Sequence, residues 1–145
     1  MSDNKFEGLK LSNQLCFPLY ACSREVIKKY RPHLDKLGLT YTQYIAMMVF
    51  WEEGKINVKE LGNKLFLDSG TLTPVLKSLE SKGYVSRYRS QEDERVVMVE
   101  ITQAGEDLKQ QAASIPKSLS GCVSLSKDEA QLLYKLLYKI LNSVE

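Results

Sequence analysis

"NVKELGNKLFLDSGTLTPVLKSLESKG", residues 57–83, is the stretch that decides the fold. Val58, Leu61 and Leu65 recur at helical spacing, and beyond the turn "LDSG" Leu72, Val75, Leu76 and Leu79 do so again. Two short amphipathic helices around a tight glycine-containing turn predict a helix-turn-helix. Lys82 followed by Gly83 reads as the end of the second helix, a cation against the negative pole and then a glycine. Downstream the period changes from 3.6 to 2. "YVSRYRS" (84–90) and "VVMVEIT" (96–102) read as two strands separated by the charged tip "QEDER" (91–95), a hairpin suited to reach outward rather than pack inward. A hairpin directly after a helix-turn-helix is a winged helix.

Upstream, "YTQYIAMMVFW" (41–51) is apolar enough for a buried core helix, with Thr40 as its cap. Before it, Leu11 to Tyr30 reads as one long helix carrying Leu15, Leu19, Val26 and Ile27 on or near an apolar stripe. Pro18 would kink that helix unless it starts only near Phe17. After the wing, Thr102 caps a helix with Glu106 and Asp107 in its first turn that runs towards Ser114 or beyond. Ser126 and Glu129 form a capping-box pattern ahead of Leu132, Leu133, Leu136, Leu137, Ile140 and Leu141. One small winged domain does not need so much additional apolar helix, and two subunits packing these helices together would cover it, so the expected assembly is a homodimer. The expected fold is therefore mainly α with a small β-wing. A winged helix-turn-helix over about 41–101 is flanked by dimerisation helices over about 9–36 and 103–145, all in one domain.

The composition sets limits. A net charge of +2 over 145 residues does not by itself indicate nucleic acid, so any basic surface has to be local. It is: between Ser69 and Arg89 the cations Lys77, Lys82, Arg87 and Arg89 oppose Glu80 alone. Ser69, Thr71, Thr73, Lys77 and Ser78 fall on the expected outer face of the second helix, where small hydroxyls meet base edges and phosphates and the helix N-terminus attracts phosphate. At the wing tip Arg95 could enter a minor groove, its guanidinium oriented by Asp93. Double-stranded DNA is the expected partner. One histidine and three widely spaced cysteines offer neither a metal site nor a disulfide framework, and no apolar run is long enough for a membrane span. A cytoplasmic protein with reduced thiols, no cofactor and no enzymatic activity is expected.

The stretch "NQLCFPLY" (13–20) adds chemistry. In a helix Cys16 and Tyr20 are i,i+4 neighbours, and a hydroxyl beside a thiol favours the reactive thiolate. The same spacing also suits a small buried hydrophobe beside a packed ring. On "NQLCFPLY", "LTYTQY", "LDSGTLTPVLKSLE" and "EDER" the chain resembles the MarR family of dimeric bacterial transcription regulators, specifically its organic-hydroperoxide-sensing OhrR branch. The resemblance covers roughly residues 9–120. It implies that Cys16 is the peroxide-reactive cysteine, with Tyr20 its partner in the same subunit. It also implies that Tyr30 and Tyr41 approach from the other subunit, that Arg95 steadied by Asp93 reads a minor groove, and that the helix from Ser69 enters the major groove. Cys122 resembles in position the resolving cysteine of two-cysteine regulators. Cys22 cannot bridge Cys16 within one helix, because six residues rise about 9 Å against a limit of roughly 7 Å. Two alternatives stay open: a thiol peroxidase, and a repressor released by a phenolic or lipophilic ligand with Cys16 merely lining its pocket.

Overall fold

In the computed structural model, which describes residues 4–144, seven helices and one small sheet follow in the order α1 (Cys16–Asp35), α2 (Tyr41–Glu53), β1 (Lys55–Asn57), α3 (Val58–Leu65), α4 (Ser69–Ser81), β2 (Val85–Arg89), β3 (Val97–Ile101), α5 (Gln103–Ala112), α6 (Ile115–Ser118) and α7 (Lys127–Ser143). The helix-turn-helix is α3–α4 and the wing is β2–β3. The wing is not a bare hairpin. β1 pairs antiparallel with β3, giving a three-stranded sheet in the order β1-β3-β2, with Ile56 opposite Val99 and Arg87 opposite Val99 on the other side. Three residues, "KIN", are too few to display an alternation, so this strand is not legible in the sequence.

The expected helix starts hold where side-chain caps specify them. Thr40 accepts from the Gln43 N–H while Gln43 reaches back to the Thr40 N–H. Thr102 accepts from the Gly105 N–H, and Ser126 and Glu129 form the reciprocal capping box of α7. Gly83, at φ 81°, makes the left-handed reversal after α4. The first helix differs from expectation. It begins at Cys16, not Leu11, and continues past Tyr30 to Asp35. Residues Leu11–Asn13 form a separate 3₁₀ turn. Pro18 is then the third residue of α1, where the N–H it lacks has no intrahelical partner, so it introduces no kink. The helix after the wing ends at Ala112, and Pro116 opens the short α6 instead of a continuous run.

The core lies around α2. Met47, Phe50, Leu61, Leu72, Leu76, Leu79 and Val99 are completely or almost completely buried, each worth about 1.5–3 kcal/mol of transfer free energy. The Trp51 indole N–H donates to the Gly105 carbonyl (2.9 Å), fastening α2 to α5. The two ends of the chain contrast sharply with this. Only Leu34 is buried in α1 and nothing is buried in α7, while Leu15, Phe17, Leu19, Leu132, Leu133, Leu136, Ile140 and Leu141 stand exposed. Among the described residues no helix is long and apolar enough to cross a membrane.

Candidate functional site

Two surfaces carry the expected chemistry. The first is sulfur and phenol. Cys16 occupies the first position of α1 and is exposed, as is Cys22 further along the helix. Tyr20 lies one turn on, exposed, with the Arg24 guanidinium 5.5 Å from its ring centroid. Among the described residues no hydrogen bond joins its hydroxyl to the Cys16 sulfur within one protomer. Tyr30 lies near the opposite end of the same helix. Fourteen residues of α-helix rise about 21 Å, so Tyr30 and Cys16 do not meet within one chain.

Tyr30 instead joins Tyr41 from the start of α2, their rings edge to face with centroids 5.0 Å apart. Tyr44, which the sequence reading passed over, completes the cluster at 5.9 Å from Tyr30 and 6.3 Å from Tyr41. The signal for it is present in the sequence: Tyr41 and Tyr44 are i,i+3 neighbours on one helix face. Burial raises all three phenols above the usual tyrosine range, and charge at Cys122 raises Tyr30 further. The hydroxyls therefore stay protonated at neutral pH, as hydrogen-bond donors. Cys122, half-buried against the core in the α6–α7 connection, lies near enough to Tyr30 of its own chain for its charge to act on that phenol.

The second surface belongs to α4 and the wing. Ser69, Thr71 and Lys77 are exposed along α4, and Thr73 turns its hydroxyl back onto the Ser69 carbonyl (2.7 Å). Asp68 caps the helix by accepting the Thr71 N–H (2.7 Å), a bond that holds its carboxyl below the usual range. One backbone N–H at the N-terminus of α4 is thus already met by a carboxylate. Ser78 departs from expectation: it is half-buried and faces α2, accepting from the Gln43 amide (2.9 Å).

In the wing, Asp93 grips Arg95 by a pair of contacts, 3.1 Å from Oδ1 to Nε and 3.3 Å from Oδ2 to Nη2, and its carboxyl is lowered by that hydrogen bond. The Arg95 side chain remains 90% exposed, a cation held in one orientation at the tip. Arg87 and Arg89 are committed internally. Arg87 pairs with Glu80 of α4 (3.1 Å) with its Nε buried, and Arg89 donates to the Glu94 carbonyl (2.8 Å).

A winged helix-turn-helix with an ordered cation at the wing tip and hydroxyls along α4 defines a DNA-binding transcription regulator. The chain belongs to the family described as transcriptional regulator SarA/Rot, whose profile matches residues 24–112, and is a MarR-type regulator of the OhrR, SarZ and AbfR kind. It is 47% identical to the organic hydroperoxide resistance transcriptional regulator of Bacillus subtilis over 98% of this chain and 97% of that protein. It is similar to reduced AbfR bound to DNA, the AbfR protein being from Staphylococcus epidermidis, at 35% identity and a TM-score of 0.78 over 95% of this chain and 96% of that one. Against disulfide-formed AbfR the TM-score is 0.67, at 34% identity over the whole of both chains.

Proposed function

We propose that this protein is a redox-sensing repressor that works in the cytoplasm as a homodimer on operator DNA, with organic hydroperoxide or a related oxidant as its signal. The observation that carries the reading is the division of the thiol chemistry within one chain. Cys16 is exposed at the start of α1, while Tyr30, whose phenol feels the charge at Cys122, lies about 21 Å along the same helix and packs with Tyr41 and Tyr44. Two such chains packed antiparallel through the uncovered faces of α1 and α7 bring each Cys16 to the partner's cluster. The stretches over about 9–36 and 103–145 are then the dimerisation helices, and the two-cysteine MarR pattern follows.

The chemistry proceeds in two steps. The Cys16 thiolate attacks the distal peroxide oxygen, the O–O bond breaks, and the alkoxide leaves as the alcohol, giving a sulfenic acid. The thiolate of the partner's Cys122 then attacks that sulfur and expels hydroxide, which is protonated to water, closing a disulfide. Tyr20 and the partner's Tyr30 and Tyr41 supply protonated hydroxyls to the sulfur before oxidation. The bridge moves the two α4 helices away from successive major grooves about 34–36 Å apart, and DNA is released. On DNA, Ser69, Thr71, Thr73 and Lys77 face the major groove and Arg95, held by Asp93, enters the minor groove. Arg87 and Arg89 shape the wing.

The test is dimedone trapping with non-reducing electrophoresis after cumene hydroperoxide. Cys122→Ser accumulates dimedone-labelled Cys16 and no covalent dimer; a covalent dimer formed by Cys122→Ser refutes the bridge. A second reading is favoured by one feature, a cleft of about 340 Å³ between α2, α5 and α6 lined by Tyr44, Met48, Trp51, Lys109, Ala112 and Pro116. It suits a small lipophilic compound. DNA release by such a compound, undiminished in Cys16→Ser, selects that reading.

A further inference from the structure

We propose that Gln43, Ser78 and Lys82 form the joint through which the tyrosine cluster sets the orientation of the recognition helix. The inference rests on the redox-repressor reading above. Gln43 lies in the first turn of α2 between Tyr41 and Tyr44 in sequence, and among the described residues it is the buried polar residue of the core, 8% exposed. Its amide oxygen accepts from the Thr40 N–H (3.1 Å) and from the Lys82 ammonium (3.2 Å), and its amide nitrogen donates to the Ser78 hydroxyl (2.9 Å). Lys82 also donates to the Gly38 carbonyl in the α1–α2 turn. The C-terminal half of α4 is thus bonded to both the turn and the first helical residues that present Tyr41 and Tyr44.

The other contacts of α4 with the core are apolar, through Leu72, Val75, Leu76 and Leu79. The hydrophobic effect itself is non-directional, so apolar packing alone does not say which way the polar groups of α4 face. Hydrogen bonds are directional, and a buried amide whose partners are fixed resists reorientation because an unmade bond there is costly. Displacing Tyr41 and Tyr44 when a bridge forms beside them turns the first turn of α2. The Gln43 amide then carries that turn to Ser78 and Lys82, and so to α4. At the far side of the helix the Glu80–Arg87 pair extends the same motion to β2 and the wing. These are positioning residues: none touches the reacting sulfur.

The test uses the full-length dimer and its own upstream DNA, comparing wild type with Ser78→Ala, Lys82→Met and Gln43→Leu, and with Ser78→Thr, which keeps the hydroxyl. Covalent dimer is read on non-reducing gels and DNA affinity by fluorescence anisotropy before and after cumene hydroperoxide. The expected result is that Ser78→Ala binds DNA when reduced within about threefold of wild type, that Lys82→Met, which also loses a cation of the basic surface, binds more weakly, and that both form the disulfide to the same extent as wild type. Their oxidant-induced loss of affinity shrinks at least about fivefold, and Ser78→Thr restores it. Gln43→Leu follows the same pattern where it folds, and Ser78→Ala decides the matter where it does not. Full release in Ser78→Ala and Lys82→Met overturns the inference, as does a loss of reduced-state binding that parallels a lowered melting temperature. A wild type that is oxidised yet keeps its DNA overturns the repressor reading itself.

Discussion

Mixing two single-cysteine variants, made by Cys16→Ser and by Cys122→Ser in a Cys22→Ser background, tests the geometry of the sensor most sharply. Within a chain Cys16 is at the start of α1, and Tyr30, whose phenol feels the charge at Cys122, is about 21 Å further along, three times the roughly 7 Å over which Cα atoms can be bridged. No local fluctuation of a hydrogen-bonded helix closes that gap, so any bridge is made between chains. Cys16→Ser and Cys122→Ser homodimers therefore stay monomeric on non-reducing gels after cumene hydroperoxide. Refolded together in equal amounts, they pair at random, and about half of the dimers contain one chain of each kind. Each such dimer holds one intact Cys16 facing one intact Cys122, so about half of the protein runs as a covalent dimer. In the wild type nearly all of it does, each dimer closing two bridges. The readout is band intensity with and without reductant. Absence of a covalent band in the mixture, with Cys16 fully oxidised, refutes the trans arrangement. A covalent band in Cys16→Ser alone refutes the assignment of the reactive sulfur.

Leu136→Ala with Ile140→Ala removes two neighbours on the α7 face that retain 46% and 42% exposure; each appears twice in a symmetric dimer, so dimerisation weakens by about 3–5 kcal/mol, or roughly 10²–10⁴-fold, in sedimentation equilibrium, while helical circular dichroism persists because α7 buries nothing within its own chain. Arg95→Ala lowers operator affinity by about fivefold or more in anisotropy and leaves disulfide formation unchanged. Asp93 holds that arginine with a lowered carboxyl, so the contribution of the pair is complete above the ordinary aspartate range near 3.9 and is lost only as pH falls through the lower folded value; the part of DNA binding that depends on Asp93, measured as the wild-type to Asp93→Ala affinity ratio, is accordingly flat from pH 6 to 8. Gly105→Ala drives a methyl into the Tyr84 carbonyl oxygen and to 2.6 Å from Ile101 Cγ1, and it strains the carbonyl that Trp51 uses; melting drops by roughly 5–10 °C in calorimetry, at a cost of about 2–3 kcal/mol.

The elements that the sequence disclosed are those with local causes. Caps at Thr40, Thr102 and Ser126, the two short amphipathic helices and the change of period at Tyr84 each write themselves into a few adjacent residues. What escaped has non-local causes. β1 exists because β3 offers an edge to three residues, and the start of α1 is set where the preceding 3₁₀ turns end, with the Gln14 side chain bonded to the Gly8 and Lys10 carbonyls. Ser78 shows the same limit: its position on α4 leaves it open to solvent or to α2, and only the tertiary placement of Gln43 decides. Arg87 and Arg89 likewise count as free cations until Glu80 and the Glu94 carbonyl are seen to hold them. For the proposed sensor, Cys16, Tyr20, Tyr30 and Tyr41 stand out in the sequence, whereas the distance between Cys16 and Tyr30 within a chain follows from the length of α1.

The central claim is that oxidation of one thiol releases DNA. Anisotropy of the protein's own upstream fragment, with and without cumene hydroperoxide, compares wild type with Cys16→Ser. The wild type is expected to lose affinity at least about tenfold and to regain it with dithiothreitol, while Cys16→Ser stays bound throughout. Equal release of both proteins, or of neither, contradicts the account.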